Sequence, residues 1–224
     1  MKAAHFRRNP CRNPRQTQKR ILEAALKEFA AQGFAGARVD AIARRARINK
    51  RMLYHYFGDK KGLFREVLRR KLAERAASLA SAPEDPTEYL PYWFRIACRD
   101  REWVRLLEWE ALQWGERRVI DEKRRQANAA KAIDRLQYRQ AKGLLPRKLN
   151  PRQLLLAMIG LTTYPVAFPQ MARLITGLSV SDSTFQTQRE EFLREFAAAF
   201  RPEPAKSAPR ISPSSPHNQK VVAK

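Results

Sequence analysis

The chain carries few of the side chains that catalysis or metal binding requires. Its three histidines, His5, His55 and His217, are scattered over the whole length, and its two cysteines are Cys11 and Cys98. A general base or a metal site needs several such groups to converge, and the long stretch between His55 and His217 contributes only Cys98. Gly33 and Gly36 lack the pattern of a phosphate-cradling loop. Glu108, Glu110 and Glu116 could supply a carboxylate pair, but their spacing selects no reaction. Neither an enzyme nor a cofactor or metal is expected. What does cluster is cationic and phenolic. The segment INKRMLYHYFGDKKGLF, Ile48 to Phe64, sets Lys50, Arg51, Lys60 and Lys61 around Tyr54, His55, Tyr56 and Phe57. Such groups bind phosphate oxygens and read base edges. A core helix and a patch for a protein partner are the other uses open to the run.

The distribution of charge favours a polyanion as partner. Residues 1–80 hold 21 Lys and Arg against 6 Asp and Glu, residues 81–200 hold 19 against 15, and residues 201–224 hold 5 against 1, within a total of +23. A basic first third on a nearly balanced body reads as a nucleic-acid-binding module joined to a partner domain; a merely solvated basic surface is the bland alternative. With 44% hydrophobic residues and eight glycines in 224, and with Ala, Leu, Arg, Glu, Lys and Gln abundant, an all-α fold follows. Two cysteines make no disulfide framework, which suits a reduced, cytoplasmic protein. The start, MKAAHFRRNPCRNPR, leads into no apolar run and reads as no signal peptide. The apolar stretch from Leu154 to Phe168 is interrupted by Thr162, Thr163 and Pro165 and falls short of the ~20 residues of a membrane span.

The cluster must be positioned by helices. Residues 1–13 read as a basic disordered arm. Asn13-Pro14 gives an N-cap with proline at the first helical position, Leu22, Ala25, Leu26 and Phe29 form a helical stripe, and Gly33 stops the helix. VDAIARRA makes a short helix with Val39, Ile42 and Ala43 inward; Asn49 caps a third from Lys50 to Phe57, and Asp59 a longer one from Lys60 towards Ala80. Ser81 to Pro86, SAPEDP, is a linker or tight corner. Helices are predicted beyond it at about 87–98, 100–114, 117–142, 151–176 and 183–200, before a disordered tail at 201–224 with five prolines and four serines.

Three short helices, the second pair joined by a tight turn, match a helix-turn-helix. On the third, Leu53 and Phe57 fall on the core side, while Lys50 and Tyr54 fall on the other face beside Arg51 and His55. Here the sequence ILEAALKEFAAQGFAGARVDAIARRARINKRMLYHYFGDKKGLFREVL, Ile21 to Leu68, resembles the DNA-binding domain of TetR-type (tetracycline-repressor-like) transcriptional regulators. The resemblance implies a three-helix DNA-binding domain at 14–58, a connecting helix at 59–80, and a helical domain at 81–200 that dimerises and often binds a small inducer. It also implies DNA contacts at Arg38, Asn49, Lys50, Arg51, Met52, Tyr54, His55 and Lys60. Three departures from the family pattern stand out. Arg38 occupies a position usually held by a capping Ser or Thr. Arg47 replaces the glycine of the turn, where a left-handed residue other than glycine costs roughly 1 kcal/mol. The pair Arg51-Met52 is bulkier than usual. Tyr56 is read as partly core rather than a DNA contact, and Arg44 and Arg45 as phosphate contacts or a solvated face.

In the second domain, Trp103, Leu107 and Trp114 share one face of a helix with Glu110 inside the stripe. A buried carboxylate must be paired or change its protonation. Glu110 either pairs with an arginine of a neighbouring helix or anchors a ligand between Trp103 and Trp114. The helix predicted at 151–176 is apolar nearly all round, with Pro165 and Pro169 expected to kink or split it. With Phe185, Phe192, Phe196 and Phe200 of the last helix it suits a two-fold four-helix contact, for which Leu155, Ile159, Phe168, Phe192 and Phe196 are the candidates. The expected protein is a homodimeric, ligand-responsive regulator, most simply a repressor, with double-stranded DNA, a second copy of itself and a small-molecule inducer as partners and no membrane. Its rivals are a weakly specific nucleoid-type DNA binder dominated by the basic tails, and a protein-interaction module with a basic face.

Overall fold

Asn13 opens the first helix through its side-chain oxygen, which accepts the Gln16 N–H at 3.3 Å, while Pro14 takes the first helical position. The computed structural model describes residues 13–117 and 119–199; the expected arm, save Asn13, the expected tail, and Phe200 lie outside them. Helix α1 (Pro14–Gly36) breaks at Gly33, whose φ of 67° and ψ of 178° suit glycine and little else. The buried stripe is Ile21, Ala24, Ala25 and Phe29, so the core face lies one residue back from that expected, and Leu22 and Leu26 are only half-buried. Helices α2 (Val39–Ala46) and α3 (Lys50–Phe57) bring Ile42 and Leu53 onto that stripe, and α4 (Lys60–Ala80) covers it with Leu63, Phe64 and Leu68. Asn49 accepts the Arg51 N–H at 2.9 Å, and Asp59 accepts the Gly62 N–H, as the cap signals require.

The corner after α4 is tight. Arg139, itself buried, donates to the Pro83 and Glu84 carbonyls and stacks on Tyr89, and Arg135 donates to the Leu79 carbonyl. Beyond the corner come α5 (Pro86–Arg99), α6 (Arg101–Trp114), α7 (Glu122–Ala141), α8 (Pro151–Ala167), α9 (Pro169–Thr176) and α10 (Ser183–Ala199), with no strand among the described residues. One predicted boundary needs correction: the seventh helix begins at Glu122, not 117. The helix predicted at 151–176 is split, as its prolines led one to expect, into α8 and α9, bent by 86° at Phe168. Pro169 disfavours a helical Phe168 and cannot donate the next hydrogen bond, whereas Pro165 stays buried inside α8. Among the described residues no single helix is long and apolar enough to cross a membrane.

Two cores result, and the first crosses the expected domain boundary. Trp103, Leu106 and Ile120 share a cluster with Phe29, Leu53 and Leu72. Phe34, Phe64 and Trp114 form an aromatic group with centroids 5.2, 5.8 and 6.2 Å apart. Trp109 presses against Gly33 and donates its indole N–H to the Ala30 carbonyl at 3.1 Å. The second core joins α5, α8 and α10 around Phe94, Met158, Phe185 and Leu193. At its edge, Arg95–Glu190 (2.6 Å) and Arg194–Glu88 (2.7 Å) tie α10 along α5.

Candidate nucleic-acid interface and ligand cavity

Packing alone orients α3. Leu53 is fully buried, Tyr56 and Phe57 are half-buried against the same core, and Lys50, Arg51, Tyr54 and His55 remain exposed, Tyr54 at 42%. The turn ahead of α3 is left-handed at Arg47 (φ 52°, ψ 50°), as its place in the family pattern implied. Arg20, which sequence reading passed over, holds this turn by donating to the Ala46 carbonyl and, at 3.3 Å, to the Arg47 carbonyl. Arg38 heads α2 without a side-chain cap; its N–H instead donates at 3.2 Å to the buried Glu28, which Arg45 approaches at 3.7 Å.

The expected DNA-contact residues differ in how committed they already are. Lys50 pairs with Asp40 of α2 at 2.9 Å; that hydrogen bond raises the lysine pKa despite a small opposing effect of desolvation. Exposed pairs of this kind contribute only about 0–1 kcal/mol and yield readily to phosphate. Arg51 and His55 project freely into solvent, while Asn49 spends its side-chain oxygen on the cap and Met52 is half-buried. Lys60 is turned back. Its ammonium donates to the Ala35 carbonyl at 3.0 Å and lies 5.1 Å from the Phe34 ring centroid, and burial pushes its pKa down against the opposing charge of Glu28. Of the expected contact residues, Lys60 is thus one whose ammonium already has partners, at the aromatic patch at the end of α1.

A cavity of about 380 Å³ lies along the C-terminal half of α4. Leu72, Arg75, Ala76 and Leu79 of α4 form one wall; Trp103 and Leu107 of α6, Arg125 of α7, and Leu155, Met158 and Thr162 of α8 are among the rest. The expected trio divides. Trp103 lines the cavity, whereas Trp114 sits with Phe34 and Phe64 and does not line it. Glu110 does not line it either: its carboxylate accepts from Arg125 Nη1 at 2.5 Å and from the Ile120 N–H at 3.1 Å. The pairing with a neighbouring arginine holds, and Glu110 as a direct ligand anchor is corrected. Among the described residues, Arg75 and Arg125, unmarked in the sequence, are the charged residues of the lining, and no carboxylate lines it.

Comparison with known proteins gives these features a common frame. Residues 21–67 match the family model for bacterial regulatory proteins of the tetR family, and residues 85–198 match that for the Tetracyclin repressor-like C-terminal domain. The HTH-type transcriptional repressor SCO4008 of Streptomyces coelicolor is 34% identical over 166 residues, which are 74% of this chain and 86% of that protein. The chain belongs to the TetR family. The HTH-type transcriptional repressor NicS of Pseudomonas putida is 36% identical over 107 residues, 45% of this chain and 50% of that one. The crystal structure of the transcriptional regulator SCO4942 from Streptomyces coelicolor superposes with a TM-score of 0.70 at 29% identity, covering 84% of this chain and 99% of that one. As a TetR-family member the chain is a DNA-binding transcriptional regulator, not an enzyme.

TetR-family regulators act as dimers, and α8, α9 and α10 expose apolar side chains. Leu156, Ile159, Tyr164 and Phe168 of α8, Leu174 and Ile175 of α9 and Phe192 of α10 are exposed, Leu174 and Ile175 at 74%. Of the five residues expected at a dimer contact, Ile159, Phe168 and Phe192 lie on this surface. Leu155 lines the cavity, as Ile159 also does, and Phe196 is half-buried against the second core.

Proposed function

We propose that the protein is a cytoplasmic, homodimeric repressor that reads an inverted-repeat operator with Lys50, Arg51, Met52, Tyr54 and His55 and releases it when a small molecule fills the cavity behind α4. The observation that carries this reading is the split personality of α4. Leu63, Phe64 and Leu68 of that helix cover the core that orients α3, and Leu72, Arg75, Ala76 and Leu79 wall the cavity. A molecule that binds one arrangement of this wall better than another shifts the spacing of two reading helices, and a dimer needs those helices about 34 Å apart to meet successive turns of duplex. Arg38 and Asn49, exposed at the heads of α2 and α3, and Arg44, exposed in the last turn of α2, serve as backbone-positioning groups. The exposed apolar surface of α8 and α10 supplies the contact between copies.

Selection of bound duplexes from a random pool tests the reading. The expected product is a palindrome with half-sites about one helical turn apart. A pool without consensus, retained only while residues 1–12 and 201–224 are present, would show a nucleoid-type binder instead. Competition by any polyanion as effective as duplex DNA would point to a basic protein-docking face.

A further inference from the structure

The cavity has a direction. Arg75 and Arg125 each place the guanidinium carbon 5.8 Å from the Trp103 ring centroid, so both cations stand at one end. Helix α7 runs beside α4 in the same sense, because Arg135 reaches the Leu79 carbonyl and Arg139 the Glu84 carbonyl further along. One turn beyond Arg125 comes Asn128, and at the far end Leu79, Tyr89, Trp93 and Ala132 leave an apolar lining. Charged and neutral ends are thus separated along the cavity.

The cations are incompletely satisfied. Arg125 gives Nη1 to Glu110 at 2.5 Å, and Arg75 approaches Asp100 through Nη2 at 3.5 Å. Five N–H groups on each guanidinium outnumber these contacts. Nε of Arg75, and Nε and Nη2 of Arg125, are buried without an acceptor among the described residues. Burial also lowers the Arg75 pKa, opposed by the charges of Asp100 and Glu74, a sign that its cation is short of solvation. Buried donors left in this state favour an acceptor brought from outside, and two arginines favour an anionic one.

We infer that the cavity takes an amphipathic carboxylate, with the anionic head at Arg75, Arg125 and Asn128 and an apolar ring or short chain between Trp93 and Ala132. This rests on the proposal that the cavity is the inducer site, and names the chemistry of its occupant. The carboxylate approaches the donors that Asp100 and Glu110 leave unused, while Trp103 lies 5.8 Å from each guanidinium carbon and packs against both.

Calorimetric titration of the full chain with 4-phenylbutyrate and with decanoate, each beside its primary amide, tests the assignment. Each carboxylate should bind at least about tenfold more tightly than its amide, the margin a charge-assisted hydrogen bond gives over a neutral one. In Arg125→Met combined with Glu110→Gln, which leaves no uncompensated carboxylate behind, the preference should vanish while amide affinity stays. Amides that bind as well as the carboxylates, or a preference that survives both this double variant and Arg75→Met, overturn the carboxylate assignment and leave the cavity as the ligand site. Ala132→Phe, or Ala129→Leu if the first fails to fold, fills the cavity and should abolish binding of every probe. Probes that ignore the filled cavity, or bind nowhere in the wild type, overturn the inducer-site reading itself.

Discussion

Replacing Gly33 by alanine should be among the most damaging single-methyl changes the protein can suffer. At φ 67° and ψ 178° the backbone sits where residues other than glycine are strained by about 1–3 kcal/mol. The added Cβ would also lie 2.8 Å from Cδ2 and Cε3 of Trp109. The indole cannot slide away cheaply, because its N–H is held by the Ala30 carbonyl; overpacking of this kind costs about 1–3 kcal/mol more. The sum, roughly 2–6 kcal/mol, corresponds to a fall in Tm of roughly 5–20 °C for a chain of this size. Urea and thermal unfolding at fixed protomer concentration would measure it. Trp109→Ala in the same background separates the two contributions. Alone it should cost about 2–4 kcal/mol of lost burial and hydrogen bonding, but combined with Gly33→Ala it should cost less than the sum, by about 1–3 kcal/mol. Strict additivity, or a Gly33→Ala protein within about 1 kcal/mol of the wild type, would refute the claim that α6 is latched to α1 at this point.

Three further outcomes are expected. Arg47→Gly should stabilise the fold by about 0.5–1 kcal/mol by relieving the left-handed backbone, since Arg20 bonds only main-chain carbonyls there; a lowered urea midpoint would contradict this. Lys50→Ala and Arg51→Ala should each weaken binding to the selected duplex by about 1–3 kcal/mol without moving the unfolding midpoint, and wild-type affinity should drop steeply with salt; a flat salt response would remove the proposed interface. Burial pushes the Cys98 thiol up to about 11 from an ordinary 9.0, with the Arg101 charge opposing. In a Cys11→Ser background its alkylation should therefore stay slow through pH 9, accelerate only as pH approaches 11, and recover ordinary rates in urea. The sign for stability follows: the contribution of the neutral thiol is intact below pH 9 and is lost as pH rises towards 11. Rapid alkylation of the native protein at pH 8 would show Cys98 to be accessible and ionised.

Local signals were read well because they act locally. Asn13, Asn49 and Asp59 cap the helices they precede, and the strain at Arg47 follows from one position in a known turn. The alternation of Leu53 with Tyr54 likewise needs only the helical period to assign a core face and a solvent face. Contacts between distant segments carry no such period. Nothing near Gly33 says that Trp109 will fill its missing side chain, and nothing near Glu110 selects Arg125 from 45 lysines and arginines. Trp103 and Trp114 share a helix face and one core cluster, yet Trp103 also lines the cavity while Trp114, three turns on, meets Phe34 and Phe64. The surroundings of Lys60 were hidden for a related reason: the Phe34 ring beside its ammonium belongs to α1.

The seam between the head and the body has a practical meaning for anyone recombining regulators of this kind. Sequence similarity divides at residues 67 and 85, which invites a cut at the corner after Ala80. In this chain such a cut would strip Trp103, Leu106 and Ile120 from the cluster that seats Leu53, and would bare Phe34 and Phe64. A transplanted head therefore needs its matching α6 surface, and specificity here is inherited as a pair of mated faces rather than as a separable cassette.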